Sequence, residues 1–235
     1  SGLNFNSVWQ TQPDGYPVLR SLTTDGDGDS GDNGDNASGT VFVDVDASDL
    51  AGDGTKADPY VITNASELQA MEDDLDAHYE LGSNIDASNT AGWNNGSGFD
   101  PVGGVSYNSD SSPLFQGSLD GNDKTVTGFV INRSDEDYIG LIGATKPTVT
   151  ISDISLKQYN VSGSNVVGGL VGENAGTIQN VTAVGSVTGS SSVGGLLSFN
   201  SVDGSIHNAT VTGNVTTTAE YANLAGGLAA SNSGS

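Results

Sequence analysis

From about residue 100 onward the apolar positions repeat. The segments IGLIG (139–143), VGGLVG (167–172), VGGLLS (193–198) and AGGLAA (225–230) are copies of one element, with Gly140, Gly169, Gly195 and Gly227 aligned. A second column reads Val126, Ile151, Ile178 and Ile206, and a third Val161, Val187 and Val215. Three short, β-branched, Gly-punctuated elements therefore return in fixed order every 25 to 32 residues, with no helical period between them. One such unit cannot bury its apolar side chains alone. Stacked units, with strands about 4.8 Å apart, place like over like and close a column of Val, Ile and Leu. The pattern predicts an all-β protein, a parallel β-helix (solenoid) whose coils of about 25–32 residues hold about three strands each. Propeller blades run longer, roughly 40 residues, and a β-sandwich would not keep three columns in one order. Gly-Gly before Leu predicts tight corners where a Cβ would clash.

Upstream the pattern changes. VFVDVDAS (41–48) alternates apolar and acidic residues as a half-buried strand would. Asn64 and Glu67 have capping-box spacing, and Leu68, Met71, Leu75 and Tyr79 follow on one helical face, predicting a single short helix over about 65–79. One helix ahead of a strand array reads as an N-terminal cap over 41–99, with the repeats over 100–235. Residues 23–40, TTDGDGDSGDNGDNASGT, read as an acidic Gly/Asp linker. Residues 1–22 hold a compact apolar set, Phe5, Val8, Trp9, Tyr16, Val18 and Leu19, too few to fold alone and therefore a docking or capping segment.

The chain carries 29 acidic against 6 basic residues, a net charge of -23. At low salt that charge strains a compact state, and at molar salt, where the Debye length is about 3 Å, the strain is screened. The imbalance points to a salt-adapted source and excludes nucleic acid as a partner, since phosphates would be repelled. Cysteine is absent, so no disulfide staples the fold. No stretch is apolar and long enough to span a membrane.

Candidate chemistry is sparse. His78 and His207 are far apart in sequence, with His78 late in the expected helix, and no H-E-x-x-H occurs. A polysaccharide lyase or hydrolase on a β-helix would need clustered carboxylates with a base nearby, and the repeats offer only Asp120, Asp123, Lys124, Arg133 and Asp153. Asp120-Gly-Asn-Asp123 reads as a turn. No cofactor is required, and calcium is the one candidate ion. Asp25, Asp27, Asp29 and Asp32 alternate as in a calcium loop but lack its Gly and Glu, and Asp44, Asp46, Asp49 and Asp53 form a second acidic run. Plain acidic linker and solvated strand face are the simpler readings of both.

Asn-x-Ser/Thr sequons fall at Asn36, Asn64, Asn95, Asn132, Asn160, Asn180, Asn208 and Asn214. Asn180 and Asn208 follow an inward Ile by two residues. Strand parity favours an inward asparagine ladder there, yet both are sequons, whose glycan would have to point out, and a corner between the two positions would reverse the parity. Asn64, Asn95, Asn132, Asn160 and Asn214 are the freer candidate glycan carriers.

VVGGLVGENAGTIQNVTAVGSVTG (166–189) resembles the GLUG-motif repeat of bacterial and archaeal surface proteins. FQGSLDGNDKTVTGFVI (115–131) is similar to the coil that opens such arrays, and DPYVITNASELQAMEDDLDAHYELGSNIDAS (58–88) to their N-terminal cap. The resemblance covers about residues 55–235. It implies a β-helical, secreted or surface-anchored protein, and it implies no catalytic residue. FNSVWQTQPDGYPVLR resembles the segment that usually follows such repeats, yet here it comes first, while LAGGLAASNSGS stops inside a repeat. Either the chain is a piece of a longer protein, or its N-terminal segment caps the open coil of another copy and builds a filament. The expected role is non-enzymatic: an extracellular structural or adhesive subunit whose partners are copies of itself, the rest of a longer chain, or surface glycans. A carbohydrate-binding module is the alternative, and it needs an exposed aromatic row, for which the repeats offer Tyr159, Phe199 and Tyr221.

Overall fold

The computed structural model describes residues 9–11, 17–19, 45–104, 113–218 and 224–235. The chain divides into two units, Ser1–Asn33 and Gly34–Ser235. In the first, β1 (Trp9–Thr11) pairs antiparallel with β2 (Pro17–Leu19), Trp9 opposite Leu19. Of the expected docking residues only Trp9, Val18 and Leu19 fall within this hairpin, while Phe5, Val8 and Tyr16 lie outside the described residues.

The second unit is a parallel β-solenoid. Its cap comprises β3 (Tyr60–Ile62), α1 (Ala65–Gln69), β4 (His78–Leu81) and β5 (Ile85–Asp86). The coils follow: β6 (Ser118–Thr127), β7 (Val130–Asn132), β8 (Ile142–Ala144), β9 (Thr150–Ser162), β10 (Val167–Gly168) and β11 (Val171–Asn174). Two further coils hold β12 (Thr177–Gly189), β13 (Ser192–Gly194) and β14 (Leu197–Asn200), then β15 (Ser205–Thr217), β16 (Leu224–Gly226) and β17 (Ala229–Asn232). Like elements stack into three sheets, ordered β15-β12-β9-β6-β4-β3, β17-β14-β11-β8 and β10-β13-β16.

Register confirms the columns, with one revision. Ile151, Ile178 and Ile206 stack, as do Val161, Val187 and Val215. Val126, however, lies beside Leu156, and it is Leu119 that heads the isoleucine column. The cause is an irregularity between Asp120 and Lys124, where Asn122 and Asp123 take positive φ and add residues to this strand. The expected turn at 120–123 is thus a bulge within β6.

The helix is shorter than its apolar spacing predicts. Asn64 caps it through a 3.0 Å bond from the Glu67 amide, and the Glu67 carboxylate returns to the Thr63 amide at 2.6 Å. After Gln69 the chain tightens to a 3-10 turn, Ala70–Glu72. Glu72, Asp73, Asp74 and Asp76 would crowd the negative end of a longer helix dipole. Tyr79 and His78 instead belong to β4, where Tyr79 stacks between Tyr60 and Leu119 and donates its hydroxyl to the Asp74 carbonyl at 2.7 Å. Of the strand expected at 41–48, residues 41–44 lie outside the described residues, and Ala47–Asp49 form a 3-10 turn capped by Asp46.

The core runs continuously from cap to coils. It is aromatic at the cap end, with Tyr79, Trp93, Phe99, Phe115 and Phe129 buried, and narrows to Val, Ile, Leu and Ala in the coils. Tyr159 is its last ring. Gln158 takes φ +54, adding one residue to β9 relative to β12, and this swings Tyr159 inward to 2% exposure. The ring stacks on Phe129 at 5.5 Å and donates its hydroxyl to the Gly195 carbonyl at 2.8 Å. Burial pushes its hydroxyl pKa up to about 12. Gly185 on the next coil must be glycine here, since a Cβ would lie 2.5 Å from the ring. The aromatic row that a sugar-binding flank would need therefore loses Tyr159 to the core, Phe199 is half-buried, and Tyr221 lies outside the described residues.

Candidate functional site

Because the coils stack in register, each chemically distinctive residue becomes a column. Inside, Thr145, Asn174, Asn200 and Asn232 make a hydrogen-bonded ladder. The Thr145 hydroxyl donates to Asn174 Oδ1 at 3.1 Å, Asn174 Nδ2 to Asn200 Oδ1 at 2.8 Å, and Asn200 Nδ2 to Asn232 Oδ1 at 2.7 Å. Thr145, Asn174 and Asn200 are wholly buried. These amides also bond corner backbone, Asn174 Nδ2 to the Gly176 carbonyl and Asn200 Nδ2 to the Gly204 carbonyl, so each ladder member fixes the corner at which its coil turns. Hydrophobic spacing alone does not reveal this ladder. Its signal is in the sequence, an Asn four residues past the Leu of each Gly-Gly-Leu: Leu170 to Asn174, Leu196 to Asn200, Leu228 to Asn232.

The ladder expected at Asn180 and Asn208 exists but faces out. Asn208 Nδ2 donates to Asn180 Oδ1 and Asn180 Nδ2 to Asp153 Oδ1, both at 2.9 Å, on exposed side chains. Asp153, Asn180 and Asn208 take φ between +51 and +54, a left-handed corner inside each long strand that reverses strand parity. Asn tolerates that conformation better than other non-glycine residues, which accounts for its recurrence.

Among the described residues, the last coil has no further coil stacked on it. Ile178, Val181, Ala183 and Val187 of β12 are buried, whereas their partners Ile206, Ala209, Val211 and Val215 of β15 are only partly buried. Leu224 and Leu228 are 47% and 37% exposed. The outer edges of β15, β16 and β17 end the three sheets.

The remaining candidates are dispersed. Asp46 caps its own turn through the Ser48 amide and hydroxyl, and Asp53 takes the Thr55 amide. Both carboxyls are held below their ordinary value by hydrogen bonding, Asp46 by the Ser48 hydroxyl and then its amide, Asp53 by the Thr55 hydroxyl and then its amide. With Asp49 they are exposed, and no group of three His, Asp or Glu placed to hold a metal occurs among the described residues. Asp25, Asp27, Asp29, Asp32 and Asp44 lie outside the described residues. His78 shares a 2.8 Å bond with the Ser118 hydroxyl on β6, and His207 is exposed on β15. Asp120 takes the Asn122 amide at 2.8 Å inside its own bulge. Arg133 bridges Asp100 at 3.3 Å and Glu136 at 3.0 Å beside a cleft also lined by Glu72, Asp137 and Tyr138. Burial raises the Asp100 carboxyl above its ordinary value. The expected glycan carriers Asn64, Asn95, Asn132, Asn160 and Asn214 are all exposed, and Asn36 lies outside the described residues. No helix among the described residues is long and apolar enough to cross a membrane.

Residues 189–216 match the GLUG motif. The chain is 34% identical over 223 residues to halomucin of Haloquadratum walsbyi, a match covering 80% of this chain and 2% of that protein. It is 36% identical over 137 residues to a protein of Evansella cellulosilytica provisionally named a Gly-rich membrane protein, covering 56% of this chain and 15% of the relative. The chain thus spans a small fraction of the curated relatives it matches. Among solved structures it resembles a Bacteroides ovatus protein provisionally described as an immunoglobulin A1 protease, with TM-score 0.51 and 20% identity over 70% of this chain and 57% of that one. At that identity the likeness shows the fold alone.

Proposed function

We propose that the chain is a non-catalytic structural element of the cell surface, built on GLUG-motif repeats, a rigid spacer whose working principle is the stacking of coil on coil. The observation that carries this reading is the in-register stack itself. Core columns, an inner amide ladder and an outer amide ladder repeat from coil to coil, and the last coil presents the same columns half uncovered. The ionisable side chains of the coils support the same reading, because Asp120 and Asp153 are engaged in turn and ladder bonds.

The finer reading is head-to-tail assembly. The β1–β2 segment of one copy, bearing Trp9, Val18 and Leu19, covers the open β15–β17 coil of the next, with the acidic linker as tether. Electron microscopy and sedimentation in molar salt, with and without residues 1–22, test it. Filaments or concentration-dependent oligomers that vanish on truncation are the expected result. Monomers in both samples sink the assembly reading.

A further inference from the structure

Five of the sequon asparagines, Asn132, Asn160, Asn180, Asn208 and Asn214, lie exposed on the outer surface of one sheet, on β7, β9, β12 and β15. Their columns differ. Asn180 and Asn208 are on consecutive coils, one strand spacing or about 4.8 Å apart, with each amide donating to the next member of the ladder. Two sugars have no room side by side at that spacing. Asn160 and Asn214 share another column, in which Ser186 lies between them. They stand two strand spacings apart, roughly 10 Å. Three triplets stack there, Asn160-Val161-Ser162, Ser186-Val187-Thr188 and Asn214-Val215-Thr216. Each valine points into the core, so strand parity turns both polar members of each sequon outward. Neither Asn160 nor Asn214 has its amide tied to another described side chain, though the hydroxyl of Ser162, third in the Asn160 sequon, donates to Asn132 Oδ1 at 3.0 Å. The setting suits a sugar, because β9, β12 and β15 together hold a single acid, Asp153, in a chain of 29.

We propose that N-linked sugar on this sheet is selected by column: Asn160 and Asn214 are modified, and the ladder pair Asn180 and Asn208 stays bare. The donor class is an oligosaccharide linked to a lipid phosphate. Asn Nδ2 bonds to the sugar C1 as the C1–O bond to phosphate breaks. The phosphate leaves with the bonding pair, and one Nδ2 proton passes to a base of the transferase. The inference rests on the surface location in the proposed function, but its failure is separable, because sedimentation of the truncated chain does not depend on sugar.

The test expresses the full chain in a salt-adapted host that N-glycosylates secreted proteins, alongside a reporter with a known occupied sequon. Glycopeptides are mapped by mass spectrometry after digestion with a broad-specificity protease. Sugar on Asn160 and Asn214, with Asn180 and Asn208 unmodified, is expected. In the double variant D153G/N208G, which frees the Asn180 amide and clears its neighbour without putting a Cβ on a left-handed corner, Asn180 gains sugar. With the reporter modified, bare Asn160 and Asn214 overturn the proposal. Wild-type occupancy at Asn180 or Asn208 equal to that at Asn160 overturns it too.

Discussion

At the scale of single residues, the buried amides fix the corners. Asn200 is wholly enclosed and uses both ends of its side chain, accepting from Asn174 Nδ2 at 2.8 Å and donating to Asn232 Oδ1 at 2.7 Å and to the Gly204 carbonyl at 3.2 Å. Asn200→Ala leaves one of the two Asn174 Nδ2 protons without its acceptor, the other still bonding the Gly176 carbonyl, in a buried site. The expected cost is about 1–3 kcal/mol, the penalty for a buried polar group deprived of its partner. Asn214→Ala, on an exposed side chain, stays within about 0.5 kcal/mol of the parent. Denaturant unfolding in molar salt compares the two. An Asn200 variant as stable as the Asn214 variant would show that the ladder does not hold the corner.

At the scale of elements, strand columns were legible in the sequence because the solenoid places one coil's residues directly over the next. Ile178 over Ile206 and Val187 over Val215 follow from spacing alone. The Gly-Gly-Leu corners were legible too, and what escaped the strand pattern lies inside the long strands, where the chain adds a residue or takes a left-handed corner. Val126 was set in the wrong column because the bulge at 120–124 adds residues that hydrophobic pattern does not register. Tyr159, one of the three aromatics on offer for an exposed row, is drawn into the core because the extra residue Gln158 inverts its face. Asn180 and Asn208 were read as inward because left-handed corners inside β12 and β15 reset parity. The helix was drawn too long because apolar spacing continues past the point where carboxylates oppose it. The left-handed corner makes its own prediction. Asn180→Gly should be tolerated better than Asn180→Ala, since both lose the ladder bonds but only alanine brings a strained Cβ, worth about 1–2 kcal/mol. Unfolding midpoints that rank the two variants the other way would mean the corner is not strained for ordinary residues.

At the scale of the molecule, charge is distributed in a way that stacking requires. A residue repeated from coil to coil meets its own kind about 4.8 Å away, so an acid in a repeated column would repel its copies along the whole stack. The long strands β9, β12 and β15 accordingly hold one acid, and their columns are hydroxyls and amides, such as Thr150, Thr177 and Ser205, or Ser155, Thr182 and Thr210. Acids collect instead where no repeat copies them, in the sequence stretch Asp25 to Asp35 and the cap run Glu72 to Asp76. The net charge of -23 is thus carried unevenly. Added salt shortens the Debye length from about 10 Å at 0.1 M to about 3 Å at 1 M and relieves that repulsion. Thermal unfolding should therefore shift upward by several degrees between 0.1 M and 1 M potassium chloride. The gain should come chiefly from the cap, so replacing Asp73, Asp74 and Asp76 by asparagine should flatten the dependence more than replacing Asp153 does. A salt response unchanged by the cap variant would place the repulsion outside the cap run.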